Sequence, residues 1–343
     1  MNLRILFATI CGGWLIFAFA KEGRADDSYT FSTIQVPGAL YTIPYGINNN
    51  GQVFGNYAPT PPAPLLDLQG FVQELDGTTT TIEPPGGTSS TVTGVNAGGQ
   101  IVGYYDSPGA PRQGFMLSGS TFTTIQYPGA SFTLALGIND FNQIVGYYND
   151  QAGNSHGFLY EAGIYSNLDM PGASDTLLWR INNSGEIVGY YETPSVLNGF
   201  LYRNGTYTPI VVSVAVYTYA LGINNSDEIV GVYSDISTAY HCFIDRNGVI
   251  DTSFNVPGFT QCDSLGVNDI GQIVGYGLQN DSLVGFKATP MNAFAGTPGK
   301  ANCHDKSVSA LARQYGGLNG AAAALGYADV SALQNAILMF CGG

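Results

Sequence analysis

A twelve-residue phrase recurs six times, and this repetition constrains the fold more than any other feature. The chain reads GINNNGQVFGNY from Gly46, GVNAGGQIVGYY from Gly94 and GINDFNQIVGYY from Gly137, then RINNSGEIVGYY from Arg180, GINNSDEIVGVY from Gly222 and GVNDIGQIVGYG from Gly266. Successive copies start 48, 43, 43, 42 and 44 residues apart. A second signature keeps the same beat: Gly70-Phe71, Gly114-Phe115, Gly157-Phe158, Gly199-Phe200, Cys242-Phe243 and Gly285-Phe286. A third, TIxxPG, ends at Pro37, Pro85, Pro128, Pro171 and Pro257, with Val214 standing near the expected place in the fifth copy. Self-similarity at such a period marks a repeat architecture, in which one supersecondary unit buries its apolar face against the next.

Each copy resolves into four short strands. In the third they are 131–139, 143–148, 157–160 and 164–170, rich in β-branched and aromatic residues and bounded by Gly, Asn, Asp and Pro. Asn-Gly sits at the centre of LYRNGTY (201–207) and DRNGVI (245–250), the mark of a tight hairpin. The GFLY strand therefore pairs with the strand after it, and the Pro-Gly step carries the chain to the next sheet. Each blade is expected to run GIN strand innermost, then IVG, GFLY and TIxxP. On this phasing the sixth copy stops at Lys287 without an outer strand, while residues 29–38 are an outer strand with no blade before them. Sewing the two together closes a ring and leaves only short edges. The expected fold is all-β, a six-bladed β-propeller over residues 28–289 closed by its N-terminal strand. A linear solenoid would need capping units that the sequence does not contain.

Two recurrent residues read as structural. The Asn of each GIN element (Asn48, Asn96, Asn139, Asn182, Asn224, Asn268) falls where the first strand turns into the second. Asn tolerates left-handed backbone and bonds its own turn, so a turn role explains it; a calcium loop would need alternating carboxylates, which are missing. The Gly of each IVG element implies a close approach of backbone or a sharp bend.

The ends differ from the repeats. Arg4 precedes an apolar run from Ile5 to Ala20, with small residues at Ala18 and Ala20 or at Gly23 and Ala25. Residues 1–25 read as a secretory signal peptide, too short in its apolar run for the ~20 residues of a spanning helix. The mature chain is expected to be secreted, extracellular or periplasmic, without stable membrane insertion. Residues 290–302 read as a linker. From Cys303 an alanine-rich stretch with Gly316-Gly317 and Gly326 as stops reads as three short helices, a small α-helical C-terminal module over 303–343. So small a piece cannot bury a core unaided, and a Cys303–Cys341 disulfide is expected to staple it.

Charge excludes whole classes of partner. The chain carries 11 Lys+Arg against 25 Asp+Glu, a net charge of −14, which argues against nucleic acid and anionic membranes. Nothing in the sequence calls for a cofactor, and no CxxC accompanies the scattered His156, His241 and His304, so a metal site is not expected.

The units resemble the HAF repeats of secreted bacterial proteins, named for a His-Ala-Phe triplet before Leu-Tyr. His156-Gly157-Phe158-Leu159-Tyr160 comes nearest, and Asn198-Gly199-Phe200-Leu201-Tyr202 keeps part of the triplet. Gly replaces the family's Ala in five copies, and His precedes only one of those glycines. The resemblance covers about three quarters of the chain and implies a secreted, propeller-like protein; it brings no established activity. The C-terminal stretch likewise resembles Cys-bounded tails attached to otherwise unrelated secreted bacterial proteins.

Breaks in the repeat carry the functional expectations. The Pro-Gly steps and the loops after the IVG strands share one face, and those loops (58–69, 106–113, 149–156, 234–241) vary in length, as binding loops on a rigid scaffold do. Early on the innermost strands stand Tyr41, Ser89, Phe132, Asp175, Tyr217 and Gln261, expected to ring the channel mouth on that face and to suit a carbohydrate or an extracellular protein. Arg180 replaces the Gly of five copies, with Trp179 before it, and reads either as one half of a structural ion pair or as an anion site. Cys262 replaces a Thr or Ser and Cys242 a Gly, which points to a disulfide between the fifth and sixth blades. Two functions compete. One is a ligand-binding scaffold without catalysis; the other is a carbohydrate-active hydrolase or lyase using Asp175 and Asp263 as paired carboxylates. A surface or matrix component would instead plug the channel mouth with its own side chains.

Overall fold

Glycine at the centre of each IVG phrase sets how each sheet is built. A Cβ placed on Gly55, Gly103, Gly146, Gly189, Gly231 or Gly275 would lie 1.9 to 2.0 Å from a carbonyl oxygen of the neighbouring inner strand. No other residue fits there. The inner strand bulges at the same level in every copy, for instance between Ala135 and Gly137 and between Leu178 and Arg180. The bulge adds a residue on one side only and bends the strand.

The computed structural model describes residues 29–59 and 68–290 and, of the C-terminal region, residues 304, 307–308, 311–312, 315, 317–324, 327 and 329–341. The fold is all-β, built of four-stranded antiparallel sheets. The first sheet comprises Ala39–Ile47, Val53–Pro59, Gln69–Gln73 and Thr79–Ile82. The second and third start at Ser89–Val95 and Phe132–Ile138, the fourth at Asp175–Ile181 and the fifth at Tyr217–Ile223. In each, the chain walks outward strand by strand, in the order GIN, IVG, GFLY, TIxxP. A single parallel bridge, Leu197 to Tyr217, ties the fourth sheet to the fifth. The last sheet holds Gln261–Val267, Ile273–Gln279 and Ser282–Pro290, and its fourth strand is the N-terminal Tyr29–Ile34, paired from Tyr29↔Pro290 to Ile34↔Gly285.

Hairpin chemistry follows the sequence. Asn204-Gly205 and Asn247-Gly248 have positive φ at both residues, the turn whose twist matches the flanking strands. The phenylalanines of the second signature (Phe71, Phe115, Phe158, Phe200, Phe243, Phe286) are all fully buried between sheets, each stabilising the packing by about 1.5–3 kcal/mol. A threonine clamps the step between sheets in four copies, three at Pro-Gly and the fourth at Ser213-Val214: the backbone N–H of Val36, Tyr127, Met170 and Val212 donates to Thr42, Thr133, Thr176 and Thr218.

The sixth copy departs from this clamp at Cys262. Its sulfur bonds Cys242, with the two Cα atoms 5.3 Å apart. The geometry explains the pairing. A Cβ on the corresponding Gly199 would meet Ala220 of the next inner strand, so Cys242 faces the strand that carries Cys262.

Two helices are present among the described C-terminal residues, Leu318–Ala324 and Val330–Cys341. Asp329 caps the second through the Ala332 N–H. Leu311, Ala321, Ala322, Leu333 and Ile337 form its core, and Ile270 from the sixth sheet packs against them. The expected signal peptide, most of the linker and Cys303, hence the Cys303–Cys341 staple, lie outside the described residues. No helix among the described residues is long and apolar enough to cross a membrane.

Candidate functional site at the inner strands

All six inner strands border one cavity of about 90 Å3, and it lies at the Asn-turn end rather than at the loop end. Its wall is the recurring Gly-Ile-Asn or Gly-Val-Asn phrase. The glycines let the strands crowd together: a Cβ on Gly266 would sit 2.7 Å from Gly46 Cα, and one on Gly137 would sit 3.0 Å from Arg180 Cα.

The asparagines do more than the turn role read from sequence. Asn139 Oδ1 accepts from the N–H groups of Phe141 and Gln143, as a turn residue should. Its Nδ2 also donates to the Asn182 carbonyl of the next sheet. The same link runs from Asn96 to Asn139, Asn182 to Asn224, Asn224 to Asn268 and Asn268 to Asn48, at 3.0 to 3.3 Å. Above it lies a second belt: Asn225 Nδ2 and Asn49 Nδ2 both donate to Asp269, and Asn183 Nδ2 donates to Asp140. The side-chain amide was legible as a turn former; its second hydrogen bond depends on the next sheet, which no single repeat displays.

Arg180 forms the floor of this cavity. Among the described residues no carboxylate pairs with it, so the ion-pair reading finds no partner there. Its guanidinium donates to the carbonyls of Leu136 and Tyr45, both at 2.5 Å, and of Trp179 at 3.1 Å. Those carbonyls belong to the third, first and fourth sheets, so one side chain spans the space that five glycines leave open. Burial pulls its pKa down to about 9, with Tyr45 opposing.

From the level of Arg180 toward the loop end, the first and second strands carry a group of aromatic rings. Tyr45, Trp179, Tyr190, Tyr219 and Tyr276 are half-buried around Leu221, Val232 and Leu265. Tyr190 meets Tyr219 edge-on at 4.9 Å and Trp179 at 6.1 Å. Further out Tyr217 and Tyr240 are exposed, at 44% and 39%. Tyr41, Phe132, Asp175, Gln261, Trp179 and Asp263 are all partly exposed. Phe132 packs on Tyr147 at 5.9 Å. The tyrosines that follow the glycine of the IVG phrase (Tyr147, Tyr190, Tyr276) recur and so do not stand out in the sequence; strand alternation on the second strand is the signal that marks them.

The two candidate carboxylates have different environments. Burial pushes the Asp263 carboxyl up to about 6, with the Tyr276 hydroxyl opposing. Asp175 accepts the Ser155 N–H at 2.8 Å, which ties it to the third sheet. Asp175 lies on the fourth sheet and Asp263 on the sixth, and no hydrogen bond joins them among the described residues.

No family model and no curated protein matches the sequence. Among solved structures the chain is similar to AofleA from Arthrobotrys oligospora, at 13% identity over 76% of this chain and 86% of that one, with a TM-score of 0.49. It is similar to the Aleuria aurantia lectin in complex with alpha-methyl-L-fucoside, at 12% identity over 75% and 93%, with a TM-score of 0.46. A sialidase of Trypanosoma rangeli matches at 10% identity over 74% and 55%, with a TM-score of 0.46. None of these values is high enough to transfer a ligand or a reaction.

Proposed function

We propose that the chain is a secreted six-bladed β-propeller, closed by its N-terminal strand, that binds a carbohydrate at the loop end of its channel. One observation carries the reading. Partly buried rings of Trp179, Tyr190, Tyr219 and Tyr276 lie near the exposed Tyr217 and Tyr240, with the carboxyl group of Asp263 against Tyr276 and that of Asp175 near Tyr190. Aromatic faces stack on the apolar side of a sugar ring, and carboxylates accept its hydroxyls. The Asn links running through to Asn268 and Asn48, together with the Tyr29–Ile34 strand on the last sheet, support the closed ring.

A glycan array probed with the intact protein tests this reading. Hits are expected, and Tyr217→Ala with Tyr240→Ala, both exposed positions, should weaken them at least tenfold. A blank array, or hits unaffected by the double variant, overturns it.

The hydrolase or lyase reading has one observation in its favour. A carboxyl with a pKa of about 6 is the kind of group that serves as general acid near neutrality. On that reading the wild-type protein releases an aryl leaving group from a glycoside, and Asp263→Asn does not.

A further inference from the structure

The Asn-turn cavity is separate from the loop-end site, and its chemistry is different. Arg112, Arg203 and Arg246 each meet a carboxylate. Arg180 meets none among the described residues, although it is more than nine-tenths buried. Its partners are three backbone carbonyls, all engaged by the two terminal nitrogens, and Nε–H has no acceptor among the described residues. A buried guanidinium with five donors and no counter-charge is costly to hold, and the cost falls when an anion sits beside it. Space for one exists: the cavity of about 90 Å3 opens onto this side chain, several times the volume one water needs.

We propose that this cavity binds a small monoanion, a halide or a short carboxylate, against the Arg180 guanidinium. The rim explains why the charge should be single. Asp140 and Asp269 are exposed at the mouth, and their oxygens accept from Ala97 N–H, Asn183, Asn225 and Asn49. Their field is screened by water and salt at the surface, yet it still opposes a polyanion. Deep in the channel, Arg180 is screened far less. Five repeats keep glycine at this position, so the arginine is not needed for the strands to approach; among the described residues lining the cavity it is the one cation.

The test uses the intact protein at constant ionic strength, with a bulky sulfonate as the reference anion. Replacing the sulfonate with bromide or formate should raise the melting temperature saturably, by about 2–4 °C once the anion is well above its dissociation constant. Arg180→Gly, which restores the residue of the other repeats, should abolish that rise. Crystals grown in bromide should show an anomalous peak beside the guanidinium, a readout that does not depend on any variant folding. Bromide and formate acting alike identify a general monoanion site, and one acting alone selects the halide or the carboxylate. Equal shifts in both proteins, or no bromide within contact of Arg180, overturn the proposal.

Discussion

Arg246 Nε stands 2.9 Å from Glu228 Oε1 across two antiparallel strands of the fifth sheet. The first and third sheets fill the same cross-strand place with the polarity exchanged, Gln52 donating to Glu74 and Gln143 to Glu161. The fourth repeats the Glu–Arg form with Glu186 and Arg203. In each case the inner partner also accepts from the turn asparagine, so its carbonyl or carboxylate oxygen is fixed and the outer residue must complement what remains. Arg246→Glu should therefore cost about 2–3 kcal/mol, by facing two carboxylates in a half-buried site. Adding Glu228→Gln recreates the Gln–Glu pair and should recover most of the loss. The bond from Arg246 Nη2 to the Tyr29 hydroxyl stays lost. Denaturant midpoints of the two single variants and the double one measure this; additive losses would show the pair to be uncoupled.

The N-terminal strand completes a sheet from a distance of some 250 residues in sequence, and removing it leaves the Phe286 strand with a bare edge. Ile34 and Val36 are buried against Ile47, Val53 and Phe71 of the first sheet, so the segment joins two sheets as well as finishing one. A chain lacking residues 29–35 should melt at lower temperature and associate through the exposed edge, as unpaired strands do. A peptide of residues 29–38 added in trans should reverse both effects. Size-exclusion chromatography and thermal melting check this, and a truncated protein that stays monomeric with an unchanged melting point would count against it.

The Cys242–Cys262 bond replaces a hydrogen bond that four other copies make. Cys242→Gly with Cys262→Thr returns both positions to the repeat pattern and offers the Val256 N–H the hydroxyl that Thr218 offers Val212. The lost cross-link, 20 residues apart in sequence, is worth about 3 kcal/mol and the regained bond about 1 kcal/mol. The restored variant should therefore be more stable than reduced wild type and less stable than oxidised wild type. Denaturant unfolding with and without reductant orders the three states; equal stability of the restored variant and reduced protein would remove the role assigned to the threonine clamp.

Most of the strand order was legible because a repeat shows the same local chemistry six times. Asn-Gly at 204–205 fixed the hairpin, and the glycine of each IVG phrase signalled a close backbone approach that proves to be contact with a carbonyl. The site was legible only in part. Arg180 could be marked as unusual, but whether it would find a carboxylate depended on the first and third sheets, remote in sequence. Tyr190 and Tyr276 belong to the repeated IVGYY phrase and do not stand out from it, whereas Tyr219 does, standing where the other copies have Ile43, Thr91, Leu134, Leu177 and Asp263; all three rings pack around Leu221, Val232 and Leu265. His241, like the other histidines, belongs to no metal-binding pattern in the sequence. It stacks on Tyr233 as His156 does on Tyr148, because both stand two residues before the buried Phe of the third strand, opposite the second-strand Tyr.

His156 supplies a pH-dependent contribution to stability whose sign can be worked out. Burial alone lowers its pKa, but the hydrogen bonds and charges of Asp169 and Asp150 outweigh that and hold it above the ordinary value. Nδ1 lies 2.9 Å from Asp169 and Nε2 lies 3.5 Å from Asp150. Asp150 is itself held down at about 2, by the Asn154 side chain first and then by backbone N–H groups and His156, so it stays ionised across the working range. A raised folded pKa means that the unfolded chain binds the proton less tightly. The contribution is therefore complete below about pH 6.5 and fades as pH rises through the folded value. His156→Gln keeps a hydrogen-bonding side chain but not the charge. Because the three side chains are 28% to 38% exposed, the effect is small, a melting-temperature difference of about 1–3 °C at pH 5.5. By pH 8.5 the difference should have largely closed. Melting curves of both proteins across that interval decide the matter, and a gap that widens with pH would show that His156 acts through its ring packing on Tyr148 and not through its charge.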